Sequence, residues 1–168
     1  MKNLKLAAQR MLLIAALLPL ALYSLEAQDY SAAAGLRLGT YGGLGLTGKK
    51  ILGDGGTAIE LNLAFRGYSA YNYVEIGGLY EKYGAIEEVD GLFWYAGGGL
   101  TVGFDNFKSE FLDNDLYVGL TGIVGVEYKL ENSPITLAID YMPTYFFNTL
   151  YGFTGNRGGF VARYTFGD

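Results

Sequence analysis

The chain has 168 residues, a net charge of −5, no cysteine and no histidine. Its length fits one domain. The absence of cysteine excludes disulfides, thiolate metal sites and an anchor attached through an N-terminal cysteine. The absence of histidine removes the commonest general base and metal ligand. The acidic balance argues against nucleic acid as a partner, because phosphate binding needs positive charge. With 26 glycines and 15% aromatic residues, the composition favours curved strands over helices, in which an interior glycine costs about 1 kcal/mol.

The first segment has the three-part plan of a secretory signal. Three basic residues come first, residues 11–22 (MLLIAALLPLAL) form an apolar run, and the small Ala27 offers a cleavage point. The run is shorter than the ~20 residues of a membrane-spanning helix, and it contains a proline. We therefore predict a cleaved signal peptide over residues 1–27 and a single mature domain over residues 28–168.

The rest of the chain alternates apolar and polar residues, which is the period of a strand. In the segment 58–66 (AIELNLAFR), Ile59 and Leu61 lie on one face and Glu60 lies on the other. The glycine-rich stretch 40–45 (TYGGLG) is either a kink in one long strand or a hairpin turn, and its glycines favour the hairpin. Eight strands are predicted, at 32–40, 43–52, 57–67, 72–82, 92–104, 116–130, 134–146 and 158–166.

The lengths of the connections favour a barrel that spans a membrane. Residues 53–56 (GDGG) and 131–134 (ENSP) are short turns, whereas 105–115 and 147–157 are longer loops. Bacterial transmembrane barrels have short periplasmic turns and longer outer loops. With eight strands and both termini in the periplasm, the short turns fall on the periplasmic side and the long loops outside. The connection at 83–91 also falls on the periplasmic side, but it is longer than the short turns that this pattern predicts there.

Alternation alone does not say whether the apolar face meets lipid or a core, because a soluble barrel shows the same period with the faces reversed. The polar face favours lipid: it is rich in small residues such as Gly97, Gly99 and Thr101, and its charges balance in sign. Buried charges need partners, and an eight-stranded lumen is only wide enough for its own side chains. We predict a lumen charge network that plugs the barrel, formed by Arg37, Glu60, Arg66, Glu75, Glu127, Asp140 and Arg163.

Aromatic residues crowd the predicted strand ends. Tyrosine and tryptophan suit the lipid headgroup layer, because their rings are apolar and their tips are polar. We expect two interfacial belts, drawn from Tyr41, Tyr68, Tyr71, Tyr73, Trp94, Phe104, Tyr117, Tyr128, Tyr145 and Phe166.

Three segments carry a resemblance to a known group. Residues 93–104 (FWYAGGGLTVGF), residues 122–141 (GIVGVEYKLENSPITLAIDY) and the ending 163–166 (RYTF) resemble the last four strands of small outer-membrane β-barrel proteins of the OmpA-like and OmpX-like type. The resemblance implies that a terminal aromatic is read by the barrel-assembly machinery, and it places that assembly signal at Tyr164 and Phe166. Here two further residues follow Phe166, which departs from the group's pattern.

Two sequence motifs are weak. Residues 43–49 (GLGLTGK) match a phosphate loop, but the next residue is lysine where serine or threonine should bind magnesium, and no helix pattern follows. Four carboxylates in the loop at 105–115 could hold calcium, but they lack the EF-hand spacing and are better explained as a solvated loop. We therefore expect no metal site and no cofactor.

Enzyme activity is not expected. The outer-membrane barrel deacylases, palmitoyl transferases and proteases of the resembled group use a catalytic histidine, which this chain lacks. The sequence thus predicts an all-β, eight-stranded antiparallel up-and-down transmembrane barrel without catalytic residues. We expect it to be a monomer in the outer membrane, in contact with outer-membrane lipids and lipopolysaccharide, with its outer loops serving surface interaction or a structural role. The alternatives are a soluble, secreted lipocalin-like carrier of a small ligand and a narrow-pore channel.

Overall fold

The structure is a computed structural model. It describes residues 30–39, 43–53, 55–67, 71–107, 115–147 and 152–167. The predicted signal peptide at 1–27 lies outside these ranges, as do parts of the predicted hairpin turn at 40–45 and of the loops at 105–115 and 147–157.

All regular structure in the described ranges is β-strand. No helix in this part of the chain is long and apolar enough to cross a membrane. The strands are β1 (Ala32–Gly39), β2 (Leu44–Leu52), β3 (Thr57–Gly67), β4 (Tyr71–Ala85), β5 (Leu92–Phe107), β6 (Asp115–Lys129), β7 (Ile135–Tyr141), β8 (Thr144–Phe146), β9 (Phe153–Thr154) and β10 (Gly158–Phe166).

These strands form one closed antiparallel barrel. The sheet order β5-β4-β3-β2-β1-β10-β7-β6 is closed by the pairing of β5 with β6. β7 and β8 pair with β6 in one continuous register, so together they form the seventh wall strand. β9 and β10 lie against that strand and form the eighth. The predicted eight-stranded up-and-down barrel is therefore confirmed.

The first two strands form a hairpin. β1 and β2 pair antiparallel from Ala32 with Lys50 to Leu38 with Leu44. The amide of Gly39 also donates to the carbonyl of Gly43 at 3.0 Å. The alternative of a kink within one long strand is excluded by this pairing.

Pro143 interrupts the seventh wall strand, which was predicted as one strand over 134–146. Proline has no N–H and cannot donate to β6, although its carbonyl still accepts from Gly122 of β6 at 2.9 Å. On the eighth strand, three residues lie between Thr154 and Gly158, where the seventh has two between their partners. This extra residue is a local bulge of the kind that re-aims side chains.

The two faces of the wall differ in polarity as predicted. A row of directly paired residues crosses the first six strands on the outward face, and every member is apolar: Leu36, Leu46, Leu63, Ile76, Val102 and Val118. The inward face instead carries the buried charged and threonine side chains. The apolar face therefore surrounds the barrel, and the polar face fills it.

Glycines make room for inward-pointing aromatic rings. Gly125 lies directly opposite Tyr95, and Gly103 lies opposite Tyr117. A Cβ on Gly125 would come within 2.6 Å of the Tyr95 ring, and one on Gly103 would overlap the Tyr117 ring. Tyr117 is buried and stacks on Tyr73 inside the barrel. The prediction that Tyr73 and Tyr117 belong to an interfacial belt was wrong, because both lie at strand ends but on the inward face.

Candidate functional site in the barrel lumen

The two ends of the barrel differ in the connections that they carry. The terminal end holds residues 30 and 167 and the connections 53–56, 86–91 and 130–134, and the loop end holds the other connections. Among the described residues, two ionic clusters lie in the lumen. The lower network, towards the terminal end, consists of Arg37, Lys49, Glu60, Glu81, Glu127, Asp140 and Arg163. The upper pair, towards the loop end, consists of Glu75 and Arg157.

Arg163 crosses the lower network from β10. One guanidinium nitrogen, Nη2, donates to Glu60 Oε2 at 2.5 Å, and Nη1 donates to Glu127 Oε2 at 3.0 Å. The Thr47 hydroxyl accepts from Nε at 3.2 Å and from Nη2 at 3.1 Å. The side chain is fully shielded from solvent. The Arg163 guanidinium therefore links the eighth wall strand to β2, β3 and β6 through hydrogen bonds.

Lys49 lies at the centre of three carboxylates. Its ammonium nitrogen is 3.2 Å from Glu60, 3.1 Å from Glu81 and 3.4 Å from Glu127. The rings of Tyr83 and Tyr95 lie 4.8 Å and 4.5 Å from the same nitrogen, within cation–π range. The Tyr83 hydroxyl accepts from the ammonium and donates to Glu81. The three carboxylates and the two aromatic faces thus offset the free-energy cost of removing the Lys49 ammonium from water.

Arg37 extends the network towards the middle of the barrel. It donates to Glu60 Oε1 at 2.8 Å and to Asp140 Oδ1 at 2.7 Å. Two tyrosine hydroxyls also donate hydrogen bonds to carboxylates of this network: Tyr95 donates to Asp140 at 3.0 Å, and Tyr30 donates to Glu127 at 2.6 Å.

A neutral layer separates the lower network from the upper pair. Thr121 is hydrogen-bonded to Thr101 at 2.7 Å and to Thr144 at 3.0 Å, and all three are buried. Hydroxyls satisfy one another here without ionised groups. The lumen is therefore stratified into ionic, neutral and ionic layers.

The upper pair has a simpler arrangement. Arg157 and Glu75 form a bidentate pair, with Arg157 Nη1 donating to Glu75 Oε2 at 3.0 Å and Nη2 donating to Oε1. Tyr73 donates to the same carboxylate, and the guanidinium lies 5.5 Å from the centre of the Phe146 ring. Arg157 belongs to the bulged segment of the eighth strand between Thr154 and Gly158, and its carbonyl accepts from the amide of Met142 at 2.9 Å.

The structure brings five of the predicted network residues together, namely Arg37, Glu60, Glu127, Asp140 and Arg163. Glu75 lies in the upper pair instead, beyond the threonine layer. The predicted Arg66 belongs to β3, but its side chain lies outside what the structure describes.

Sequence reasoning missed Glu81 and Arg157, and it omitted Lys49 from the network. Glu81 lies inside the predicted strand 72–82 and shares the alternation of Glu75. The period-two pattern therefore already placed it on the inward face, and it should have been included. Arg157 was assigned to a loop, and no sequence signal marks the bulge that turns it inward.

The predicted assembly signal lies on the outer wall. Tyr164 and Phe166 are both exposed on the outward face of β10, with ring centres 5.0 Å apart. They are near the terminal end, where Ala32 pairs with Phe166. The outward face of β10 is thus aromatic and exposed near the terminal end of the barrel.

Comparison with known proteins supports the architecture. No family model matches the chain, and no curated protein matches it. Among solved structures, Neisserial surface protein A (NspA) superposes with a TM-score of 0.51 and 14% identity, covering 80% of this chain and 94% of that one. The fold is that of a small outer-membrane-type β-barrel. At this identity the likeness extends to the fold alone.

Proposed function

We propose that the chain is an integral, non-enzymatic barrel of the outer membrane with a plugged lumen. The observation that carries the proposal is the inverted polarity of the wall, with apolar side chains outside and ion pairs inside. Leu36, Leu61 and Leu100 each expose half or more of their surface. A protein in water would be expected to reverse this arrangement.

The dimensions of the wall support the same proposal. Trp94 and Phe104 lie on the outward face of β5 about ten residues apart, a span of roughly 33 Å along a strand. A strand tilted by about 40° covers roughly 25 Å of this along the membrane normal, which matches the apolar band of such barrels. The terminal end then faces the periplasm, and the loop end faces outwards.

A plug is the role we assign to the lumen. The lower network takes a hydrogen-bonding group from each of the eight wall strands, with Tyr95 supplying that of β5. An eight-stranded barrel is only wide enough for its own side chains. The ion pairs therefore fill the cross-section and leave the barrel without a conducting path, in contrast to the narrow-pore alternative.

The outer loops at 105–115 and 147–157 are the sites of surface interaction in this proposal, because the barrel presents them to the exterior. Tyr164 and Phe166 serve as the assembly signal for the barrel-assembly machinery. The chain acts as a monomer in contact with membrane lipids and lipopolysaccharide. The soluble carrier is disfavoured, because its apolar face would line a ligand cavity that is occupied here by buried charges.

Membrane insertion is tested by substituting one outward and one inward residue. Leu120→Arg should cost about 2–4 kcal/mol in a lipid-bilayer unfolding titration, because Leu120 pairs with Leu100 near the middle of the apolar band and an arginine there faces hydrocarbon. Thr121→Ser, on the inward face of the same strand, is the matched control and should fold normally. The unmodified chain should fractionate with outer membranes and conduct no large current across a planar bilayer. A harmless Leu120→Arg in a protein that stays monodisperse in plain buffer would refute insertion, and a large conductance would refute the plug.

A further inference from the structure

Two lysines break the apolar character of the outer wall. Among the charged side chains that the structure describes within strands, only Lys50 and Lys82 are exposed. The others are buried in the lumen, apart from Lys129, whose ammonium donates to the Ser133 carbonyl at 2.6 Å. The chain as a whole is acidic, yet both charges on its lipid-facing wall are positive.

Both lysines lie at the same end and on the same side of the barrel. Lys50 pairs with Ile59, and Lys82 pairs with Thr57, so the two flank β3 from its neighbouring strands. Two strand spacings and a shift of two residues along the strands separate their Cα atoms by roughly 12 Å. Each is within three residues of the terminal end of its strand. Two long, flexible side chains at this spacing can converge on one anion.

The surroundings place that anion at a membrane surface. Towards the loop end the wall is apolar, with Ile59, Leu61 and Ile76 exposed. Beyond the strands, the connection at 86–91 carries exposed carboxylates. The lysines thus lie at the boundary between the hydrocarbon band and water, where lysine stems lie on apolar surface and their ammonium groups reach the headgroups. Neither lysine forms an ion pair with a side chain in the described ranges.

We propose that Lys50 and Lys82 bind the phosphate of an anionic phospholipid in the periplasmic leaflet, whose acyl chains cover the wall over β3. The inference rests on the proposed function, since it requires the barrel to be inserted with its terminal end towards the periplasm. A lipid is favoured over free phosphate because the anion site adjoins exposed apolar side chains that only an attached hydrocarbon chain would cover. Each lysine near a charged membrane surface favours anionic lipid by about fivefold.

The sole tryptophan of the chain supplies a local probe. Trp94 packs its ring over Gly84 on β4, two residues from Lys82 on the same face. Bromine on lipid acyl chains quenches tryptophan at contact. Quenching of Trp94 by brominated phosphatidylglycerol, compared with brominated phosphatidylcholine, therefore measures which lipid occupies the wall beside Lys82.

The experiment reconstitutes the full mature chain in phosphatidylcholine vesicles with a small fraction of either brominated lipid. The unmodified protein should prefer the anionic lipid severalfold, and the preference should fall as salt is raised. Lys50→Gln and Lys82→Gln should each reduce the preference, and the double variant should abolish it. Lys82→Arg, which keeps the charge, should retain it. Lys129→Gln, which removes the same charge at the same end, should have no effect.

The outcomes separate the two proposals. Equal quenching by both lipids, or an unchanged preference in the double variant, would overturn the lysine site while leaving membrane insertion intact. A loss of preference in Lys129→Gln as large as in Lys82→Gln would also overturn it, because net charge would then explain the effect. Quenching by neither lipid would overturn insertion itself, and the lysine site with it.

Discussion

The lower network and the upper pair use the same chemistry in different ways. The lower network joins seven ionisable side chains from seven wall strands, and each cation contacts at least two carboxylates. The upper pair joins one cation to one carboxylate, and both side chains retain some exposure, 13% and 9%. The lower network draws on seven of the eight wall strands, whereas the upper pair joins only β4 and the bulged eighth strand across the lumen.

This difference bears on folding and stability. A buried charge that loses its partner is left uncompensated in a medium of low dielectric constant, and this costs more than the original pair contributes. The lower network therefore stabilises closure mainly by penalising every arrangement in which a strand is missing or shifted in register. The upper pair is closer to water, which can replace a lost partner.

The largest expected effect comes from breaking the lower network at its most connected cation. Arg163→Met keeps the volume of the side chain but leaves Glu60 and Glu127 with one fewer cation each. We expect a loss of about 3–5 kcal/mol in the free energy of unfolding, measured by urea titration in lipid bilayers.

Arg157→Met is the matched control, because it removes the same group from the upper pair. Its cost should be clearly smaller. Similar costs for the two substitutions would mean that the clusters do not differ in the way described here.

The sequence predicted the architecture and much of the lumen. Period-two alternation identified all eight wall strands, and the inward face of Glu60, Glu127 and Arg163 followed directly from it. Alternation gives the face of a residue but not its height along the barrel, so Glu75 was grouped with residues that lie beyond the threonine layer. Heights depend on the register between strands, which no local pattern specifies.

The bulge that turns Arg157 inward also escaped prediction. The bulge depends on how residues 154–158 pair with residues 141–144 of the seventh wall strand, and no local pattern in either segment specifies that register. The inward orientation of Tyr73 and Tyr117 was missed for a related reason, since an aromatic residue at a strand end suits either a membrane interface or a glycine-lined recess.

An intermediate effect is expected where glycines receive aromatic rings. Gly125→Ala would force the Tyr95 ring away from Asp140 in the lower network, and Gly103→Ala would displace Tyr117 beside the upper pair. Overpacking of this kind costs about 1–3 kcal/mol. Gly125→Ala should be the more damaging of the two, because the Tyr95 hydroxyl that it displaces also donates a hydrogen bond to Asp140 in the network.

Gly122→Ala is the control for these substitutions, since a Cβ there would meet only Pro143 at ordinary contact distance, 3.8 Å. It should leave the urea midpoint nearly unchanged. If it were as costly as Gly125→Ala, the loss would reflect strand flexibility rather than the ring.

The smallest expected effect is the coupling within the upper pair. A double-mutant cycle of Glu75→Gln and Arg157→Gln should give an interaction energy of about 1 kcal/mol, because partial exposure screens the pair. The coupling should fall as salt is raised, whereas the cost of Arg163→Met should hardly change, since buried charges are screened less. A coupling of several kcal/mol that persists in high salt would show that the upper pair is as isolated from water as the lower network. The outer mouth of the lumen would then be a second sealed layer rather than a solvent-exposed rim.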